Sequence, residues 1–258
     1  MNIRTPLIAS ALLAASLVSG IAHAVSISGQ GSWESTLQGR DLDGNLATFE
    51  AYYDTVLDIT WLANANVNGT RTWADANAWA ATLIIVDEAN SIIYNNWRLP
   101  NVEPINGTSF NANFSFDGST DNGFNISAPG TVYAGSTANE MAHLFYGVLG
   151  NKALYTTAGN PHQLGNGLTN TGPFTNLQAY GYWSATVVEP DSGFTIGRSW
   201  EFGFNHGEQD KIYNNTGFYA LAVSDGDVGI AAVPEPETYA MMLTGLGLVG
   251  TAVRRRRA

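Results

Sequence analysis

No cysteine occurs anywhere in the 258 residues, so the folded body of this chain must be held by buried side chains and hydrogen bonds alone. Disulfides, thiolate-bound zinc, cysteine nucleophiles and thiol redox chemistry are excluded together. The residues suited to replace cross-links are aromatic: seven Trp, eleven Tyr and eleven Phe, each able to bury a large area.

Both ends have a different character and come off the fold count first. Met1 to Ala24 has the build of a cleavable secretory signal, with Arg4 as the positive start, Pro6 to Ile21 as a short apolar run, and Ala22-His23-Ala24 as a small-residue cleavage site centred on Ala22 and Ala24. A signal peptidase is therefore an expected partner. At the other end, Val233-Pro-Glu-Pro-Glu237 leads into an apolar stretch from Tyr239 to Val253, then Arg254, Arg255, Arg256 and Arg257. The prolines enforce an extended approach. The run of about 15 residues is short beside the roughly 20 of a full span, and four arginines after it act as a cytoplasmic stop.

The expected division is thus a signal at 1–24, one domain at 25–232 and a terminal segment at 233–258. The ends take away Arg4, the four terminal arginines, Glu235 and Glu237. Six basic and twenty acidic residues remain in the body, a formal charge of −14. Such a surface repels phosphate, which excludes nucleic acid as a partner.

The terminal triad of Pro234-Glu235-Pro236, apolar run and arginine cluster resembles the PEP-CTERM sorting signal of exopolysaccharide-producing Gram-negative bacteria. The resemblance implies a partner, the exosortase, a membrane protease-transpeptidase that recognises these residues and cleaves near the Pro-Glu-Pro. It implies transit through the inner membrane with the body in the periplasm, followed by the cell surface or the matrix.

Within the body, Asp43-Gly44-Asn45 signals a turn. Ala47 to Leu62 reads as a hairpin turning near Asp54 to Asp58. Thr72 caps a predicted helix with Asp75 in the capping-box position, and Trp73, Ala76, Ala80 and Leu83 mark its buried face. Residues 101–135 are rich in Asn, Gly, Ser and Thr and predict a long surface excursion. A second helix is expected over 138–150, with Met141, Leu144, Phe145 and Val148 inward and Gly150 as C-cap. Strands are expected over 180–188, 194–204 and 215–223, where Trp200, Phe202 and Phe204, and likewise Tyr219, Leu221 and Val223, alternate. Strands outnumber helices, so the expected class is α+β, mainly antiparallel sheet with two helices and long loops.

Four segments of this body, Asp58-Ile-Thr-Trp-Leu-Ala-Asn-Ala-Asn66, Thr72-Trp73, Trp97-Arg-Leu-Pro100 and Tyr182-Trp-Ser184, are similar in order and spacing to the Lcl-type C-terminal domain, a family of unknown function. The resemblance implies a C-type-lectin-like fold and marks Trp61, Trp73, Trp97, Arg98, Pro100 and Trp183 as its structural motif. The chain departs from it at Val223-Ser224-Asp225, where members often carry Val-Arg-Pro. The formylglycine-generating enzymes share the fold, but their cysteine chemistry cannot be carried over.

No catalytic motif stands out. His143, His162 and His206 lack metal-ligand spacing, and Trp183-Ser184-Ala185 lies in a predicted strand rather than on a nucleophile elbow. Carboxylates are plentiful, but a glycosidase pair leaves no sequence signature. Three Gly-containing acidic loops offer oxygens to a calcium ion: Asp41 to Asn45, Asp117 to Gly123 with Asp117 and Asp121 as ligands, and Ser224 to Asp227. A plain Asx turn is the alternative at each. Arg98 and Arg198 are expected to be held by acidic partners. The resulting expectation is a non-catalytic surface or matrix protein binding glycan, with no cofactor other than calcium. A polysaccharide-active enzyme and a purely structural component are the alternatives.

Overall fold

The computed structural model describes residues 25–189 and 197–231. The signal with Ala22 and Ala24, and the terminal segment with Pro234 to Pro236 and Arg254 to Arg257, lie outside them. Among the described residues no helix is long and apolar enough to cross a membrane.

Among the described residues thirteen strands are formed: β1 (Leu37–Asp41), β2 (Ala51–Asp54), β3 (Ile59–Leu62), β4 (Ile85–Asp87), β5 (Ile92–Tyr94), β6 (Trp97–Arg98), β7 (Phe114–Ser115), β8 (Asn122–Phe124), β9 (Gly181–Val188), β10 (Arg198–Gly203), β11 (Glu208–Tyr213), β12 (Val223–Asp225) and β13 (Ile230–Ala231). Three short helices among the same residues accompany them: α1 (Trp33–Thr36), α2 (Trp73–Thr82) and α3 (Glu140–His143), the last running into a π turn over Leu144–Val148. A six-stranded sheet in the order β13-β1-β2-β3-β12-β6 is antiparallel throughout. The second sheet runs β7-β8-β11-β10-β9, and only its β7–β8 edge is parallel. β4 and β5 form a separate hairpin. The class is therefore α+β with sheet dominant, as composition and pattern predict.

The predicted hairpin forms as β2 and β3, paired Tyr53 with Thr60 and Asp54 with Ile59. Its turn is fixed by Asp54, whose Oδ1 accepts the N–H groups of Val56 and Leu57. Its Oδ2 accepts the Trp61 indole at 3.3 Å. α2 starts at Thr72, whose hydroxyl accepts the Asp75 N–H, and it buries Ala76 and Ala80. The second helix buries Met141, Leu144, Phe145 and Val148 and ends at Gly150 with φ +65°.

Two expectations are corrected, and one strand forms that sequence did not foresee. The excursion at 101–135 turns inward in its second half: Thr120 to Ala128 is buried and β8 joins the second sheet. Amides make this possible by satisfying the buried backbone, since Asn125 Nδ2 donates to the carbonyls of Phe116 and Tyr155. The strand expected over 215–223 is mostly irregular, with single bridges at Phe218 and Tyr219 before β12. Ala220, Leu221, Ala222 and Val223 are all buried, so no exposed face exists for alternation to report. β11, a polar stretch, is a full central strand that the pattern does not announce.

Candidate functional site

The chemistry-bearing surface lies on the hairpin of β10 and β11. Ladder pairing puts Glu201 opposite Asp210 and Gly203 opposite Glu208, and directly opposite residues share a face. β9 adds Gly181 beside Gly203 and Trp183 beside Glu201. Trp183 is covered by Ala76 and Ala80 of α2 and by Phe218, whereas Gly181 and Gly203 present no side chain. A Cβ at Gly181 would lie 2.9 Å from Glu201 Oε2 and 2.9 Å from the Phe218 ring. Two glycines therefore keep a pocket of about 250 Å³ open over the acids, walled by Tyr180, Phe218 and Ile212.

Glu201 is 7% exposed, and its Oε2 is buried without a hydrogen-bond partner. Burial, then Asp210 and Glu208, push its carboxyl well above the usual carboxylate range. Burial and then Asp210 raise Glu208 to about 7. The Asp210 carboxylate accepts the Lys211 N–H at 2.7 Å. Among the described residues none of the three acids takes part in an ion pair. Lys211 is on the opposite face, 5.9 Å over the Trp200 ring and bonded to the Ala112 carbonyl.

His206 and Glu208 also belong to the wall of a neighbouring groove of about 320 Å³, lined by Phe114, Phe116, Phe124, Leu154 and Tyr155. Its rings pack at centroid distances of 4.8 to 6.0 Å. Phe114 is half exposed at 50%, so the groove has a rigid aromatic floor and an open aromatic lip. A third cavity, near 390 Å³, is amide-lined by Asn125, Asn151 and Gln163, with Lys152 and Tyr146.

The acidic loops have distinct surroundings. Asp121 is fully buried, and its carboxylate accepts the N–H groups of Ile105 at 2.6 Å and Asn111 at 2.7 Å. Asp117 is exposed and bonded to Ser119. Among the described residues these two belong to no group of acidic or histidine ligands close enough to share an ion. Asp121 holds the loop through these two backbone N–H groups. Asp225 and Asp227 are engaged by Arg98 and Arg40. Asp41, Asp43 and Glu50 do offer oxygens within 4.8 Å of one another. Asp41 Oδ1 already accepts two backbone N–H groups and Glu50 Oε2 accepts that of Leu42.

The motif residues are structural in their contacts. Trp61 and Trp183 are fully buried and Trp97 nearly so. The indoles of Trp73, Trp97 and Trp183 donate to the carbonyls of Ser184, Tyr94 and Arg71. The Pro100 carbonyl takes the Ala185 N–H. Arg98 binds Glu140 through two nitrogens and Asp225 through Nε and Nη2. Burial opposes its charge, but the two acids outweigh that and raise its pKa. Arg198 lies 4.5 Å over the Tyr213 ring. Arg40, which sequence did not single out, makes a bidentate pair with Asp227 at 2.6 and 2.8 Å. His143, the last residue of α3, is buried with both ring nitrogens unpartnered. Burial lowers its pKa, against smaller opposing effects of Asp54 and the Ser136 backbone. His162 and His206 are exposed, and the three histidines form no ligand group.

A model of the PEP-CTERM protein-sorting motif matches residues 232–257. This chain carries a PEP-CTERM sorting motif. The motif covers the Pro234-Glu235-Pro236 entry, the apolar run and the arginine cluster, and it marks the chain as an exported exosortase target. No curated protein matches the chain, and no solved structure does.

Proposed function

We propose that the chain is a protein of the cell surface or extracellular matrix, released or transferred by an exosortase, whose body binds glycan without turning it over. The observation that carries the binding reading is the aromatic groove. Rings stack on the apolar faces of sugars while carboxylates and amides take the hydroxyls, and here Phe114, Phe116 and Tyr155 adjoin His206 and Glu208. The resemblance to the Lcl-type, C-type-lectin-like domain supports the same reading: Trp61, Trp97 and Trp183 of its motif are buried and leave the loops to bind. An exopolysaccharide is the proposed partner, and the reading needs no cofactor. A calcium ion, if taken up, would find its oxygens at Asp41, Asp43 and Glu50.

A second reading, a polysaccharide-active enzyme, is favoured by one feature: Glu201, pushed toward its protonated form, stands opposite Asp210, so a proton donor faces a second carboxyl group. A polysaccharide array read for both retention and product release decides. Retention without product is expected, with at least a tenfold loss, about 1.4 kcal/mol, in Phe114→Ala. Product release would establish the enzyme, and neither signal would leave a structural matrix component.

A further inference from the structure

We propose that the pocket beside the aromatic groove receives the protonated amine of an amino sugar, with Asp210, Glu208 and Glu201 as counter-charges and Tyr180 and Phe218 as walls. The inference rests on the glycan-binding reading and names the class of glycan: one bearing free amino groups.

Three acids gathered on one strand-pair face repel one another, and the described residues lining the pocket include no Lys or Arg. Its other residues are Tyr180, Gly181, Gly203, Asn205, His206, Ile212 and Phe218. The decisive atom is Glu201 Oε2, buried and unpartnered at the wall. An unmet buried acceptor of this kind is disfavoured unless something arrives to satisfy it. An ammonium group suits the site on two counts. It supplies an N–H donor to Glu201 Oε2 and a positive charge that acts on Asp210 and Glu208 without needing their oxygens to converge, and that charge is attracted to aromatic faces such as those of Tyr180 and Phe218. A calcium ion suits it poorly, because it needs six to eight oxygens at about 2.3–2.6 Å. The three acids do not bring their oxygens within shared-ligand distance, and two walls are rings. His206 and Glu208 belong to both cavities, so a sugar chain lying in the groove would present a neighbouring unit to the acids.

Other charges near the site point elsewhere. Lys211 faces Trp200, and Arg71, whose backbone pairs with Phe218, lies 4.9 Å over Trp79. The titratable groups that face the incoming amine are Glu201 from β10, Glu208 and Asp210 from β11, His206 from their turn, and Tyr180. An arriving cation favours ionised carboxylates, so binding releases protons. Affinity should weaken as pH falls below about 7, where Glu208 takes up its proton.

Isothermal titration calorimetry of the full chain at pH 7.5 and physiological salt tests this with two probes, the β-1,4-linked glucosamine tetramer and its fully N-acetylated counterpart. The amine form should bind at least tenfold tighter, with heats that vary with buffer ionisation as protons are released. Glu201→Gln and Asp210→Asn should each reduce that preference below threefold by weakening the amine tetramer more than its N-acetylated counterpart. Equal affinity of the two tetramers overturns the amine site and leaves the groove standing, and so does a preference that survives in both variants. No binding of the amine tetramer also overturns it. Binding of free glucosamine, with Phe114→Ala indifferent for both tetramers, would instead overturn the groove and keep the amine site.

Discussion

Glu201 shows how much a single residue can hide in a pattern. Its neighbours Trp200, Phe202 and Phe204 alternate as core residues, and Glu201 lies on the opposite face of the strand. In the fold it is buried too, because Trp183 of β9 pairs beside it and Phe218 lines the same pocket. The position should therefore trade stability for function. The folded state holds the proton more tightly than the unfolded chain, so this site stabilises most below about pH 4.3, the unfolded value, and that stabilisation is lost as pH rises through the folded pKa. While the folded carboxyl keeps its proton, each pH unit above the unfolded value costs about 1.4 kcal/mol. Glu201→Gln removes that penalty. Its melting temperature should exceed the parent's at pH 8 and match it near pH 4, read by thermal denaturation across pH. A constant offset at both pH values would show that Glu201 does not titrate on unfolding.

At the scale of elements, the turn and cap signals read from sequence form as expected, whereas the alternation over 215–223 does not make a strand. The β2–β3 turn is set by Asp54 within four residues, and the α2 cap by Thr72 and Asp75. Non-local partners were not legible. β11 becomes a central strand because β8 and β10 flank it, and nothing inside Glu208-Gln-Asp-Lys-Ile-Tyr213 announces those neighbours. The acid pocket was hidden for the same reason, since Glu201 meets Asp210 only through that pairing. Arg98 lies between these cases: sequence pointed to acidic partners, and the fold supplies Glu140 from α3 and Asp225 from β12, tying the six-stranded sheet to the helix. These two links should differ in strength. The Glu140 side chain is 11% exposed and also accepts the Asn101 N–H, whereas the Asp225 side chain is 68% exposed. Glu140→Gln should cost about 2 kcal/mol, below the ~3–5 kcal/mol of a fully buried pair because Arg98 retains some solvent. Asp225→Asn should cost less than about 1 kcal/mol. Denaturant unfolding of both variants checks the order, and equal losses would mean that the helix tie is not special.

The whole molecule divides its information unevenly. The terminal address is written in contiguous residues, Pro234 to Arg257, so it was legible without a fold and matches a motif model over 232–257. The binding surface is written across residues from 114 to 218 and becomes readable only when β8, β10 and β11 are side by side. This separation means that delivery and recognition should fail independently. Glu235→Ala leaves the β10–β11 face and the aromatic groove untouched but alters the segment that an exosortase would read. In a host with its exosortase, that variant should accumulate at precursor length in the membrane fraction, while the parent is shortened and leaves it. Intact-mass measurement of the C-terminus after fractionation distinguishes the two. The retained variant should bind the amine tetramer as tightly as the parent, because its pocket is unchanged. A variant shortened and released normally would show that the Pro-Glu-Pro entry is not what the processing enzyme recognises. A retained variant that had also lost tetramer binding would show that the address and the body are coupled.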